Sequence, residues 1–374
     1  MIKRKLETII KSKMFGGKAI VVLGPRQTGK TTLLKKIADE QKDYLFLNGD
    51  DLNVRQELEN AGFEKLKQII GTHSFIFIDE AQRIKNIGLT AKIIVDRIKP
   101  EQLLISGSSA LELANEINEP LTGRKWEYML YPVSWEELVE HKNYLTAVQQ
   151  LEQRLIYGSY PDVINHPGEE KEILNQLTGS YLYKDLFTYK SIKKPNVLEK
   201  ILRALALQLG NEVSYNEIAR LVQIDKNTVQ TYIDLLEKAF VIFRLNPLSR
   251  NLRSEISTSR KIYFYDNGIR NSLITNFNSL NIRNDKGALW ENFLISERRK
   301  FNEYNKNWVN SYFWRTKQQQ EIDYIEEKNG ILYAYEFKWQ KTKKVKLPNK
   351  FAETYPQHKY KVITQENFTE FIGN

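Results

Sequence analysis

The chain has 374 residues, 41% hydrophobic and 27% charged, a composition that fits a soluble globular protein of two or three domains. With no cysteine it has no disulfide and no thiolate metal site. No apolar run approaches the ~20 residues of a membrane helix, and the start MIKRKLETII lacks the apolar stretch of a signal peptide, so a cytoplasmic location is expected. The net charge of +10 is unevenly placed: residues 1–180 hold 24 Lys and Arg against 25 Asp and Glu, and residues 181–374 hold 32 against 21. A basic second half fits a polyanionic partner, DNA or RNA first, although a solvated basic face has the same composition.

The stretch KAIVVLGPRQTGKTTLLKKIADE reads as buried strand, glycine loop and helix. GPRQTGKT, residues 24–31, fits G-x-x-x-x-G-K-[ST]. Loop amides at a helix N-terminus would cradle the phosphates of ATP, with Gly24, Gln27, Thr28, Gly29 and Thr32 forming the cradle. Lys30 would reach the outer phosphates, and the Thr31 hydroxyl would hold Mg²⁺. FIFIDEAQ, residues 75–82, is a second buried strand ending in two acids. Asp79 is expected to bind Mg²⁺ and Glu80 to polarise the attacking water. A third run, QLLISGSSA, ends in Ser106, Ser108 and Ser109. Any of the three hydroxyls could face the terminal phosphate, and Ser108 is carried forward as the candidate. In LTGRKWEYMLYPVSWEEL, Arg124 follows a glycine in a loop. Its guanidinium could neutralise a transferring phosphoryl group in cis or in trans, and action in trans would imply a homo-oligomer.

The order GPRQTGKTTLL, FIDEAQ, ISGSS, LTGRKWEYMLYPVSWEEL, YGSYPDVI resembles a prokaryotic family of AAA-type ATPases whose C-terminal part is catalogued as a domain of unknown function. The resemblance spans nearly the whole chain. It implies a three-layer α/β P-loop core with a small helical region, and it supports Arg124 as a sensor of the terminal phosphate.

Further on, VSYNEIARLVQIDKNTVQTYIDLLEKAFVIFRL (213–245) has the pattern of a helix-turn-helix. Ser214 and Glu217 are placed for a capping box, and Ile218, Leu221 and Val222 form the first apolar stripe. Asp225 can cap a second helix that buries Val229, Ile233, Leu236 and Tyr232. That helix turns Lys226, Asn227, Thr228 and Gln230 outward, where a winged helix-turn-helix meets nucleic acid; such modules also bind proteins. KSIKKPN upstream is expected to be a basic linker, and KWQKTKKVKLPNK downstream a guide for a phosphate backbone.

Near the end, EIDYIEEKNGILYAYEFKW reads as two strands joined at Asn329-Gly330. Asp323 and Glu336 then fall on neighbouring strands with Lys338 one pleat further. Two close carboxylates call for a cation, Mg²⁺ or Mn²⁺ for oxygen ligands, with the Phe337 carbonyl as a further ligand. This resembles the metal-dependent nuclease core written PD-(D/E)-x-K, whose roles map onto Asp323, Glu336 and a catalytic Lys338. Glu291, on the expected helix GALWENFLISERRK, is the matching fourth acid, while Ile322 stands where that pattern has proline.

These readings give an α/β fold: a P-loop ATPase core (1–145), a helical lid or linker (146–190), a winged helix-turn-helix (191–270) and a nuclease-like α/β domain (271–374). The leading expectation is an AAA-type ATPase engaging DNA or RNA, with metal-dependent cleavage as an added activity. The alternative is a regulatory or signalling ATPase whose last domains bind a protein partner and do not cut. A small-molecule kinase fits poorly, because nothing marks an acceptor pocket.

Overall fold

A computed structural model describes all residues except 109–118, 183–193, 250–259, 341–344 and 374. Ser109, most of the KSIKKPN stretch and part of the later basic run lie outside the described residues. The chain forms two compact units, Met1–Val133 with Lys238–Phe240, and Ser134–Glu237 with Val241–Asn374. Among the described residues, no helix is long and apolar enough to cross a membrane.

The first unit is built on a parallel sheet in the order β2-β3-β4-β1-β5. Its strands are β1 (Ala19–Leu23), β2 (Leu45–Asn48), β3 (Phe75–Asp79), β4 (Gln102–Gly107) and β5 (Lys125–Met129). Every residue of β1, β3 and β4 is buried, which is why these strands read as continuous apolar runs rather than alternating ones. The core on one face joins Val21, Ile78 and Ile105 to Ile70, Ala91 and Ile94. β5 closes one edge and leaves Trp126 37% exposed, with the ammonium groups of Lys13 and Lys18 lying over its ring.

The second unit holds a seven-stranded mixed sheet to which residues 212–264 and 310–363 both contribute strands, so these two segments do not separate. Its order is β12-β11-β10-β9-β7-β8-β6. β6 (Glu212–Val213), β7 (Ile242–Pro247) and β8 (Arg260–Phe264) come from the 191–270 segment. β9 (Asn310–Arg315), β10 (Glu321–Lys328), β11 (Ile331–Phe337) and β12 (His358–Ile363) come from the last segment. The two sets join where β7 pairs with β9 in parallel, at Asn246 with Tyr312 and Pro247 with Phe313. The last segment runs helix (Lys286–Tyr304), three antiparallel strands, helix (Asn349–Thr354), and then β12 parallel to β11. Asn329 and Gly330 both have positive φ, the conformation that a two-residue hairpin of primed type requires and that favours Asn-Gly.

Both faces of this sheet are covered. Tyr324, Tyr335 and Phe337 pack on Phe371, with ring centroids 5.9, 4.7 and 5.4 Å apart, and Trp339 packs on Trp290. Leu332 and Ala334, on the other face of β11, join Ile322, Ile325, Trp314 and Phe351 in a second cluster. Glu336 and Lys338 continue that second face by the two-residue period. The acid and the lysine therefore lie at the end of that apolar face, where Glu336 is partly buried and Lys338 is 38% exposed.

Candidate functional site

The glycine loop joins β1 to the Lys30–Asp39 helix. A Cβ on Gly24 would lie 2.2 Å from the Leu130 carbonyl oxygen, so only glycine fits there. Gly29, at φ 89°, turns the chain into the helix, and the Thr28 hydroxyl donates to the Pro25 carbonyl at 2.9 Å. A buried arginine, which the sequence did not flag, fixes the loop from outside: Arg4 donates to the Thr28 carbonyl at 2.6 Å and to the Tyr131 carbonyl at 2.5 Å.

The loop lysine and the strand-end acids converge on this turn. Lys30 is buried, and its ammonium donates to the carbonyls of Gly24 and Pro25 at 2.9 and 2.8 Å. The Thr31 hydroxyl donates to both Asp79 oxygens at 3.1 and 2.9 Å. Of the candidate serines it is Ser106 that donates to Asp79, and its hydroxyl also accepts from the Glu80 amide at 3.3 Å. Ser108 lies one step outward, accepting from Gln82 at 2.8 Å. Gln82 also donates to the Glu80 carboxylate at 2.5 Å. Glu80 sits in the left-handed region at φ 48°, a conformation costly for a non-glycine residue and common at functional sites. Gly49 abuts it so closely that an added Cβ would meet the Glu80 carbonyl oxygen at 2.5 Å. Loop amides at a helix start, a buried lysine and a hydroxyl–carboxylate pair are the donor set that Mg²⁺–ATP needs.

Arg124 is not part of this cluster. β5 pairs in parallel with β1, Ala19 opposite Lys125 and Leu23 opposite Met129. Arg124 precedes β5, and its carbonyl accepts from the Ala19 amide at 2.9 Å. The glycine loop follows the other end of β1, five residues away, or roughly 15 Å at the rise of a strand. Its guanidinium is instead paired with Asp96 at 2.6 Å. The geometry removes the role in cis within one chain.

In the 191–270 segment, the Ser214 hydroxyl accepts from the Glu217 amide, but the Glu217 carboxylate turns to Gln208 at 3.5 Å and the expected reciprocal cap is not made. Ile218 and Val222 are buried, whereas Leu221 is 65% exposed and leaves the expected stripe. Asp225 caps the Lys226–Lys238 helix through the Thr228 amide and hydroxyl, so the Thr228 hydroxyl is already engaged. Lys226, Asn227 and Gln230 are exposed, as the spacing requires. The helix and its cap nevertheless carry Asp225, Asp234 and Glu237 against Lys226 and Lys238, and Arg244 pairs with Asp234 and Glu237.

The last segment brings Glu291, Asp323 and Glu336 into one neighbourhood. Burial first, then the charges of Glu291 and Glu336, push the Asp323 carboxyl well above its usual range. Each acid nevertheless has a partner from the protein. Asp323 accepts from the Phe337 amide at 2.7 Å. Glu336 pairs with Lys338 at 2.7 Å. Glu291 accepts from Lys261 at 2.9 Å and Tyr263 at 2.5 Å. Among the described residues, no group of three or more acids or histidines is placed to hold a metal ion. The expected Mg²⁺ or Mn²⁺ set of Asp323, Glu336 and Glu291 therefore does not fit a divalent ion as these side chains are arranged. One oxygen of each is already engaged, by the Phe337 amide on Asp323, the Lys338 ammonium on Glu336, and Lys261 with Tyr263 on Glu291. Elsewhere in this unit a cleft of 490 Å³ is lined by Phe243, Arg299, Glu303, Trp308 and Tyr324, with Trp308 86% exposed.

Comparison with known proteins agrees with the division at the first unit. A model described as an AAA domain matches residues 16–139, and two described as domains of unknown function, DUF8612 and DUF4143, match 148–283 and 286–373. An uncharacterized protein of Methanocaldococcus jannaschii is 28% identical over 360 residues, covering 87% of this chain and 77% of that one. An uncharacterized protein of Mycobacterium tuberculosis is 28% identical over 327 residues, covering 85% and 70%. The Walker-type ATPase paby2304 of Pyrococcus abyssi shares the fold at a TM-score of 0.51 and 16% identity, over 73% of this chain and 96% of that one. The chain thus carries an AAA-type ATPase domain followed by two domains of unknown function, and it binds and hydrolyses ATP.

Proposed function

We propose that this protein is a regulatory ATPase whose second unit binds a partner without cutting it, and whose ATP state sets that binding. The observation that carries the reading is the carboxylate cluster: Glu291, Asp323 and Glu336 are each held by donors of the protein itself. A strand arrangement like that of nucleases does not bring its chemistry with it. The exposed Trp308 beside Arg299 supports a protein partner, since tryptophan and arginine anchor many interfaces. The Lys226–Lys238 helix supports it too, because its two lysines are matched by Asp234 and Glu237 and it offers no basic excess to a phosphate backbone.

In the ATPase unit, loop amides and Lys30 bind and orient the phosphates. Thr31 and Asp79 would hold the Mg²⁺, which neutralises phosphate charge when bound. Glu80 takes the proton of the attacking water, and Gln82 keeps its carboxylate in place. Ser106 orients Asp79 from the neighbouring strand. Arg124 serves the phosphates of a neighbouring copy, the arrangement that its distance from its own loop leaves open.

A second reading, direct contact with DNA or RNA, is favoured by the basic excess of residues 181–374. Two assays decide. Supercoiled plasmid incubated with the protein, ATP and Mg²⁺ or Mn²⁺ should stay intact; nicking that Glu336→Ala or Lys338→Ala removes would overturn the proposal. Binding to labelled DNA should be absent at low salt. A complex that weakens steeply as salt rises would replace the protein partner with nucleic acid.

A further inference from the structure

We infer that Lys261 is the resident cation beside the C-terminal carboxylate cluster, paired with Glu291 and Glu321, so that the second unit places its own lysine there instead of a divalent metal. The inference deepens the non-cutting reading and rests on it. Lys261 lies on β8 with its side chain 1% exposed. A lysine so deeply buried is strongly disfavoured unless it is paired. Its ammonium bridges Glu291 at 2.9 Å and Glu321 at 2.5 Å, and Tyr263 donates to the same Glu291 oxygen. The ring of Phe313, 5.7 Å from the ammonium, closes one side. Lys338 completes the set on Glu336, and Arg315 lies 3.7 Å from Glu321.

The cation and the acids come from different parts of the chain. Lys261 falls in the segment matched over 148–283, and Glu291, Glu321, Asp323 and Glu336 fall in the segment matched over 286–373. β8 delivers the lysine, the Lys286–Tyr304 helix delivers Glu291, and β10 delivers Glu321 and Asp323. The shared sheet is what brings them together. A divalent ion among these acids would sit beside a buried ammonium, and the two cations would repel strongly away from bulk water. Moving the ammonium aside would leave it buried without its carboxylates. The same lysine therefore excludes a metal and ties the winged-helix strands to the last segment.

The test uses the full chain without nucleotide. Mn²⁺ occupancy, read by electron paramagnetic resonance, should be equal in the wild type and Asp323→Asn, and any effect of millimolar Mn²⁺ on melting should also be equal. A Mn²⁺ site present in the wild type and lost in Asp323→Asn would overturn the assignment. Lys261→Met should melt several degrees lower in EDTA and recover part of the loss in Mn²⁺. Glu291→Gln in the same chain should abolish that recovery. A Lys261→Met melt in EDTA that coincides with the wild type would also overturn it; if that variant does not fold, the Asp323→Asn comparison still decides. Mn²⁺ bound at Asp323 with plasmid left intact sinks the lysine assignment alone, whereas nicked plasmid sinks the non-cutting reading as well.

Discussion

At the residue scale the proposed ATPase chemistry assigns separable roles to Lys30 and Glu80. Lys30→Ala removes the ammonium at the loop and should abolish ATP binding, read by calorimetry with Mg²⁺ present. Glu80→Gln keeps the shape but cannot accept the proton. It should bind ATP as the wild type does and hydrolyse it about 10²- to 10⁴-fold more slowly; an unchanged rate would take Glu80 out of its role. Asp323 makes a different prediction. Burial and then the neighbouring Glu291 and Glu336 raise its folded pKa above the unfolded value of about 4. Over that interval the folded chain binds more protons than the unfolded chain, so this group's contribution makes stability fall as pH rises. Asp323→Asn should remove that fall and melt higher than the wild type at neutral pH. A lower melt for the Asn variant at neutral pH would contradict the repulsion.

At the scale of elements, most of what is local was readable from the residues. The strand–loop–helix at 19–39 announces itself because glycine spacing, the lysine and the apolar run are contiguous. The hairpin at Asn329-Gly330 was readable for the same reason. The choice of Ser106 over Ser108 was not, since residues two apart share a face of a strand and only the contact between neighbouring strands shows which one meets Asp79. YGSYPDVI looked like a motif without a role. Gly158 is at φ 71° and a Cβ there would meet an Asp266 oxygen at 1.9 Å, while the Ser159 amide donates to Asp266 at 2.6 Å. That aspartate in turn caps the Asn267–Leu273 helix. Lys261 stayed hidden because its partners lie 30 and 60 positions further on, beyond any local pattern. The placement of Arg124 before a strand parallel to β1 leads to its own prediction. Activity per molecule should rise with protein concentration. Mixing inactive Arg124→Ala with inactive Glu80→Gln should restore part of the hydrolysis, because each supplies what the other lacks. Full activity of Arg124→Ala at every concentration would contradict a role in trans.

For the molecule as a whole, the proposed function divides the work between the two compact units: the parallel sheet positions phosphate-binding groups, and the unit with the mixed sheet meets the partner. The 191–270 and C-terminal segments share one sheet and one buried lysine, so they are expected to respond together. Amide hydrogen exchange on Glu80→Gln, with and without Mg²⁺–ATP, tests this most directly. The account predicts altered protection at the glycine loop and also in residues 214–245 and 321–338 of the second unit. Changes confined to residues 1–133 would contradict the claim that ATP governs the second unit.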